Sequence, residues 1–261
     1  MSTERRAVAI IPARIGSTRL PRKPLQKIGG REVVLRVCDR AASSRLIDRV
    51  VVATDDEEIR ALVEGAGYDA RMTSPDHPTG TDRVAEAAAR VDAEVIANIQ
   101  GDEPFLPTEA LDRAVRPMLE DPGKPMHTLV VPLEKDEEFA DPNVVKVTVD
   151  REGRALYFSR SPIPHRWRGG GAPVWKHVGV YIFQREALFR FVSLPRSPLE
   201  EGEGLEQLRA LENGMAIYVG FHPDPFHGIE TEEDLRAAGE RIAREEGRSP
   251  DRTGSARGSG S

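Results

Sequence analysis

The stretch "AVAIIPARIGSTRLPRKPL", Ala7 to Leu25, starts as an unbroken apolar run and turns at once into arginine, serine, threonine and lysine. A short run bounded by Pro12 is what a strand buried on both faces requires. The loop behind it carries Arg14, Arg19, Arg22 and Lys23, punctuated by prolines. The same texture recurs downstream: "RVVVATD" and "EVIANIQGDEP" are further buried strands that end in polar residues. Between them lie helical patterns, "REVVLRVCDRAASS", "DEEIRALVEGAG" closed by Gly65 and Gly67, "TDRVAEAAARV", and "PTEALDRAVRPMLED" with Thr108 as its expected N-cap. Strands alternating with amphipathic helices predict a doubly wound, mostly parallel α/β nucleotide-binding sheet with helices on both faces.

From "MHTLVVPLEK" to "VVKVTVDREGRALYFSRSPIP" the pattern changes to extended runs joined by turns, among them "DREGR". A β-rich insert over about 126–175 is expected there, within one α/β domain over 1–246. "VWKHVGVYIFQ" returns to a core strand. "REALFRFVSL" and "LEQLRALENG" read as helices, "AIYVGFH" as a strand and "TEEDLRAAGERIAREE" as a closing amphipathic helix. The polar, low-complexity residues 247–261 are expected to be a disordered tail.

Composition narrows the function. The 261 residues carry a net charge of -6 with 39% hydrophobic content. That is enough apolar material for a sizeable core and too acidic for a protein whose main partner is nucleic acid. The basic loop is therefore a local exception. One cysteine, Cys38, excludes an internal disulfide and suits a reducing compartment. The first residues lack the apolar core of a signal peptide, and no run approaches the roughly 20 apolar residues that span a bilayer. A cytoplasmic protein without membrane contact is the expectation.

In open α/β sheets ligands lie beyond the carboxyl ends of the strands. That rule gathers "ARIGSTRLPRKPL", "TDD" and "QGDEP" at one edge. Backbone amides near Gly16 and Ser17, with Arg14, Arg19 and Lys23, form an anion hole suited to a polyphosphate. The loop has neither the Gly-x4-Gly-Lys-Ser/Thr of P-loop ATPases nor the Gly-x-Gly-x-x-Gly of dinucleotide-binding folds. Asp102, at a strand's carboxyl end, is well placed for Mg²⁺, which takes oxygen ligands and bridges carboxylates to phosphates. An ordinary turn at Gly-Asp-Glu-Pro is the competing reading.

Seven ordered segments, "IIPARIGSTRLPRKPL", "DHPTGTDR", "NIQGDEPFL", "DPNVVKV", "ALYFSRSPIP", "KHVGVYIF" and "SPLEEGEGLEQLR", resemble the motifs of the 3-deoxy-D-manno-octulosonate (Kdo) cytidylyltransferases. The match runs from about Val8 to about Ala238. The opening motif is more distantly similar to those of the sialic acid cytidylyltransferases and other sugar nucleotidyltransferases, and the expected fold is the one those enzymes share. The resemblance implies that CMP is moved from CTP to the anomeric hydroxyl of a 2-keto sugar acid, with release of pyrophosphate. It implies that Arg14, Ser17, Arg19 and Lys23 contact the nucleotide phosphates and that Gly80, Thr81 and Arg83 seat the nucleotide. Asp102 and Glu230 would ligate Mg²⁺. Gln100, Arg160, His177, Tyr181, Glu206 and Gln207 would bind the acceptor acid. It also implies a homodimer paired through the insert.

Several of these residues also have ordinary readings. His177 and Tyr181, four apart in a strand, share a face and would serve equally as half-buried side chains. Glu206 and Gln207, on a helix, would serve as a solvated face. His165, His222 and His227 show no metal-ligand spacing. Two departures from the family pattern bear on function. Glu230 stands where the family commonly has Asp, and "HRWRGGGAPV", 165–174, is shorter than usual beside the acceptor region. A small phosphonate such as phosphonoformate is therefore an alternative acceptor, and a non-catalytic CTP-binding protein is the alternative of another class.

Overall fold

The computed structural model describes residues 6–16, 20–169, 171–226, 228–229 and 231–245. Its first half runs β1 (Ala7–Ala13), a small hairpin of β2 (Lys27–Ile28) and β3 (Arg31–Glu32), α1 (Val33–Ala42), β4 (Arg49–Thr54), α2 (Glu57–Gly65), β5 (Asp69–Met72), α3 (Gly80–Ala88), β6 (Val95–Asn98) and α4 (Thr108–Glu120). The second half runs β7 (Met126–Pro132), β8 (Lys146–Val149), β9 (Ala155–Ser159), β10 (Trp175–Gln184), α5 (Arg185–Ser193), α6 (Pro198–Glu203), α7 (Leu208–Glu212), β11 (Ile217–Phe221) and α8 (Glu232–Glu245).

Alternate residues of β1 explain the layering. Ala7, Ala9 and Ile11 pack into one apolar cluster with Val34 and Cys38 of α1, Ile59 of α2 and Leu111 and Val115 of α4. Val8 and Ile10 point the other way, into a cluster with Val84 of α3 and Leu188 and Phe191 of α5. A strand covered on both faces needs apolar residues at every position, which is why the opening run is unbroken.

The strands lie in the order β11-β7-β10-β6-β1-β4-β5, with β8 and β9 continuing from β10. β6, β1, β4 and β5 are parallel, as are β11 and β7. β10 is antiparallel to both β6 and β7. From β1 the chain winds outward to β4 and β5, then crosses back to place β6 on the other side of β1. The strand order thus reverses at β1, and the loops after β1 and β6 diverge to leave a crevice at their carboxyl ends.

The expected β-rich insert is smaller than 126–175. β7 is a strand of the central sheet, hydrogen-bonded on one side to β11 and on the other to β10, and its residues Met126 to Val131 are buried. Sequence texture alone did not separate a buried antiparallel strand from the hairpin after it. The added piece is the β8–β9 hairpin. Its "DREGR" turn is held by Asp150, whose Oδ1 accepts from the amides of Glu152 and Arg154, with Gly153 at φ 77°. β10 joins the two parts: Trp175 and Lys176 pair with β8, whereas Tyr181 to Gln184 pair with β6, and the register breaks between Val178 and Tyr181.

Three boundaries differ from expectation. α4 begins at Thr108 with Pro107 as N-cap. The helix expected from Leu205 begins at Leu208, because Gly204 (φ 62°) ends α6 and the chain turns through Glu206 and Gln207 first. β5 was not anticipated from "DARM", a strand too short and mixed in polarity to show a period. Among the described residues no helix is long and apolar enough to cross a membrane. Residues 247–261, the expected tail, lie outside the described residues.

Candidate active site

A cavity of about 330 Å³ opens at the carboxyl ends of β1 and β6, lined by Arg14, Gly16, Lys23, Thr79, Gly80, Arg83, Gln100 and Asp102. Three features of the chain bring these residues together. The 3-10 turn Lys23–Leu25, entered through Arg22 at φ 53°, points Lys23 back over the sheet. Gly101 lies against β1 so closely that a Cβ there would stand 2.8 Å from the carbonyl oxygen of Pro12. The first turn of α3 presents Gly80 to the cavity, with Thr79 capping through the amide of Asp82. A helix N-terminus beside Arg14 and Lys23 is an anion site in which dipole and charges agree.

Lys23 Nζ donates to Asp102 Oδ2 at 2.9 Å. Arg83, only 3% exposed, donates to Thr73 Oγ1 at 2.6 Å and to Asp55 Oδ2 at 3.0 Å. The "TDD" segment therefore contributes through Arg83, holding its guanidinium in the cavity wall. Arg22, the fourth cation of the loop, pairs instead with Glu58 on the surface at 2.5 Å.

A larger cavity of about 1180 Å³ adjoins the first, lined among others by Gln100, Asp141, Arg160, Lys176, His177, Tyr181 and Gln207. A small one of about 290 Å³ lies between them, lined by Gly80, Gln100, Gly179, Tyr181 and Gly204 to Gln207. Gln100 lines all three.

His177 and Tyr181 remain in contact across the irregularity in β10, with ring centroids 5.5 Å apart. Thr128 Oγ1 lies 2.8 Å from the Val180 carbonyl and 2.9 Å from His177 Nε2. With its one proton given to the carbonyl, the threonine accepts from Nε2–H. Burial pushes the imidazole down to about 3. Tyr181 donates to Gln207 Oε1 at 3.0 Å, and burial, reinforced by Glu206, raises its phenol well above the ordinary range.

Gln207 is 2% exposed, and its Nε2 has no hydrogen-bond partner among the described residues. An amide whose oxygen is fixed and whose buried N–H groups are unused is a donor waiting for a ligand oxygen. Glu206 Oε1 accepts from Thr81 Oγ1 at 2.6 Å, and Thr81 accepts from Asn98 Nδ2 at 3.1 Å. Burial raises the Glu206 carboxyl above its usual value, against the lowering effect of the Thr81 hydrogen bond.

The turn carrying Glu206 and Gln207 is pinned at both ends. Glu200 of α6 and Arg209 of α7 form a buried bidentate pair at 2.5 and 2.8 Å. Glu203 takes donors from Ser159 Oγ at 2.6 Å and the Arg160 amide at 2.9 Å. Glu206 and Gln207 are thus not a solvated helix face; they are ordered, inward-facing groups.

Of the residues singled out in the sequence, Arg14, Lys23, Gly80, Arg83, Gln100 and Asp102 line the first cavity, and Arg160, His177, Tyr181 and Gln207 the second. Thr81 is fully buried, with its hydroxyl spent on Glu206 rather than on the cavity. It supports the wall between the cavities and is not part of the lining of the first. The Arg160 guanidinium is occupied by the carbonyls of Glu203 and Pro142 at 2.8 and 2.9 Å. Ser17, Arg19 and Glu230 lie outside the described residues, as does His227. His222 is buried with no metal-ligating partners, and no group of three or more potential ligands occurs among the described residues. Cys38 is buried, and burial raises its thiol to about 12, which makes it unreactive.

His77 was missed. It lines the first cavity, with Nε2 2.5 Å from Glu86 Oε2, and stands inside the quoted segment "DHPTGTDR", where its place before Pro gave no sign of a partner nine residues away.

The α/β sheet, the cation-lined crevice and the adjoining polar cavity define a nucleotidyltransferase site. The model of the cytidylyltransferase family matches residues 8–217, and the chain belongs to that family. It is 49% identical over 236 residues to the 3-deoxy-manno-octulosonate cytidylyltransferase of Syntrophotalea carbinolica, covering 87% of this chain and 94% of the relative. It is 46% identical to the protein of the same name from Geobacter sulfurreducens, covering 90% and 98%. Among solved structures, a CMP:2-keto-3-deoxy-manno-octonic acid synthetase complexed with CTP superposes with a TM-score of 0.89 at 39% identity, covering 92% of this chain and 99% of that one.

Proposed function

We propose that this chain is a CTP-dependent cytidylyltransferase that joins CMP to 3-deoxy-D-manno-octulosonate and releases pyrophosphate. The observation that carries the reading is the placement of Gln100. It forms the common wall of a cation-lined cavity sized for phosphates and a larger polar cavity with unused donors.

In this reading the triphosphate lies over the amino end of α3, against Arg14, Lys23 and, from the undescribed part of the loop, Ser17 and Arg19. The acceptor lies under Tyr181 and His177, with Gln207 Nε2 donating to one of its oxygens. The acceptor hydroxyl oxygen attacks the α-phosphorus in line while its proton passes to solvent, the bond from that phosphorus to the bridging oxygen breaks with the oxygen leaving on pyrophosphate, and Lys23 and Arg19 take up the charge on the departing group. Catalysis is mostly positioning and electrostatics, as in phosphoryl-type transfers generally. Direct transfer without a covalent enzyme intermediate is the mechanism of this reading.

Mg²⁺ fits the donor set. Asp102 offers one carboxylate beside a phosphate-sized cavity, which matches an ion that arrives with its nucleotide rather than one caged by protein alone. Asp102 would hold it. Glu230 follows Ile229, whose amide donates to the Asp102 carbonyl at 2.8 Å, and is the second expected ligand. The ion would supply neutralisation of phosphate charge. A homodimer paired through the β8–β9 hairpin and a cytoplasmic setting complete the reading.

The test is pyrophosphate release from CTP and Mg²⁺ with Kdo, sialic acid, phosphonoformate and no acceptor. Release with Kdo alone is expected. Release with phosphonoformate and not with Kdo would overturn the acceptor while keeping CTP, and the absence of release under all four conditions would reduce the chain to a nucleotide binder.

A further inference from the structure

Lys146, in the segment "DPNVVKV", has no place in the mechanism above. It is 0% exposed, which is rare for a lysine unless every donor is used. Every donor is used here. Its Nζ donates to the carbonyl of Val144 at 2.6 Å, of Asp141 at 2.8 Å and of Arg160 at 2.5 Å. Three N–H groups meet three carbonyls from two separate stretches of chain. Both stretches border the larger cavity: 141–145 on one side, Arg160 on the other.

We infer that Lys146 is a positioning residue for the acceptor: its ammonium draws together the backbone of 141–144 and the end of β9, and so fixes the wall against which the acidic substrate docks. The inference rests on the assignment of the larger cavity to the acceptor. Arg160 performs the complementary task from the same wall, its guanidinium gathering the carbonyls of Pro142 and Glu203. The two cations organise backbone that would otherwise present unpaired carbonyl oxygens to an anion. With those oxygens turned onto buried cations, the wall loses their repulsion toward a carboxylate. Burial lowers the lysine from its ordinary range, Asp141 and Glu203 act in the opposite sense, and Arg160 adds to the lowering. The nucleotide cavity shares none of these contacts, so its geometry is independent of Lys146.

The experiment compares the wild-type chain with Lys146→Met, which keeps most of the side-chain length and removes the charge, and Lys146→Arg, which keeps its charge. Hydrogen exchange of residues 141–145 and 158–161, the affinity for CTP by calorimetry, and the KM for Kdo are measured on each. For Lys146→Met the expectation is faster exchange confined to those two stretches and a Kdo KM raised by about tenfold or more. CTP affinity should stay within about twofold, because misplacing a binding wall affects only the ligand it contacts. Lys146→Arg should recover part of the Kdo KM. Parallel losses of CTP affinity and Kdo KM, or exchange that rises throughout the chain, would overturn the inference, as would failure of both variants to fold. A wild-type chain that released no pyrophosphate with any acid would refute the proposed function alone, since the exchange pattern is read without turnover.

Discussion

Lys23 and Asp102 meet at 2.9 Å across 79 residues of sequence, the ammonium on one oxygen of the carboxylate. The contact ties the loop after β1 to the loop after β6 and places a cation beside a carboxylate in the wall of the first cavity. Lys23 is only 15% exposed, and in the proposed reaction its ammonium would pass from the carboxylate to a phosphate.

Removing either partner should therefore affect chemistry more than binding. Lys23→Ala is expected to lower kcat by about 10²-fold, the usual loss when a group meets charge that develops in the transition state. Asp102→Asn should abolish Mg²⁺-dependent turnover. Steady-state kinetics with CTP and Kdo decide the point. An unchanged kcat with a raised KM for CTP would make Lys23 a binding group, and full turnover in Asp102→Asn would remove Asp102 from the metal site.

Glu206 predicts a conflict between stability and activity. Its carboxyl is raised mainly by burial, so the native state binds its proton more tightly than the unfolded chain does. The associated stability is present below the unfolded value and is lost as pH rises through the folded one. At pH 7 the ionised group is a burden on folding. Glu206→Gln keeps an oxygen to accept from Thr81 and should raise the melting temperature at pH 7 while weakening Kdo use. The stability gain should shrink as the pH is lowered into the carboxylate range. Thermal scans at pH 7 and pH 4.5 would show it, and a destabilised Glu206→Gln at pH 7 would contradict it.

Two buried histidines should make the protein sensitive to acid. Burial lowers His177 to about 3 and His127 to about 4, each from 6.5. For groups depressed in this way, stability is present above the unfolded value and is lost as pH falls toward the folded one. The window is pH 6.5 to about 4, with a slope of up to about 1.4 kcal/mol per pH unit for each histidine. Urea denaturation at pH 7, 6 and 5 would trace it. The double variant His127→Gln/His177→Gln is expected to flatten the curve, and an unchanged slope would assign the acid sensitivity elsewhere.

The Glu200–Arg209 pair is 8% and 5% exposed at its side chains. Arg209→Met leaves a buried carboxylate without its partner and should cost about 3–5 kcal/mol. Adding Glu200→Met should restore most of that loss, because an apolar replacement of similar volume removes the charge altogether. Chemical denaturation of the single and double variants gives the coupling. Additive losses would mean the two residues contribute independently.

The sheet was legible from the sequence wherever a strand is buried on both faces, because residues 8–11 of β1, 50–53 of β4 and 95–97 of β6 are all apolar. The lining of the first cavity was equally legible, since strand ends follow from strands and Arg14, Lys23 and Asp102 lie in the loops behind them. What escaped are features set by contacts across the chain. β7 is read as part of an insert because its place between β10 and β11 depends on pairings far off in sequence. Glu206 and Gln207 look like a solvated helix face until Gly204 stops α6 and turns them inward. Thr81 sits in the segment expected to seat a nucleotide and yet spends its hydroxyl on Glu206. The role of His77 depends on Glu86, and that of Lys146 on three carbonyls, neither of which leaves a mark on local composition.

β10 passes through the irregularity at Val178 to Tyr181 as one continuous strand, pairing with the hairpin before it and with the central sheet after it. The floor of the larger cavity is consequently a single beam clamped at both ends. The spacing of His177 and Tyr181 is thereby set by pairings on both sides of the irregularity and not by the loop that leads into Trp175.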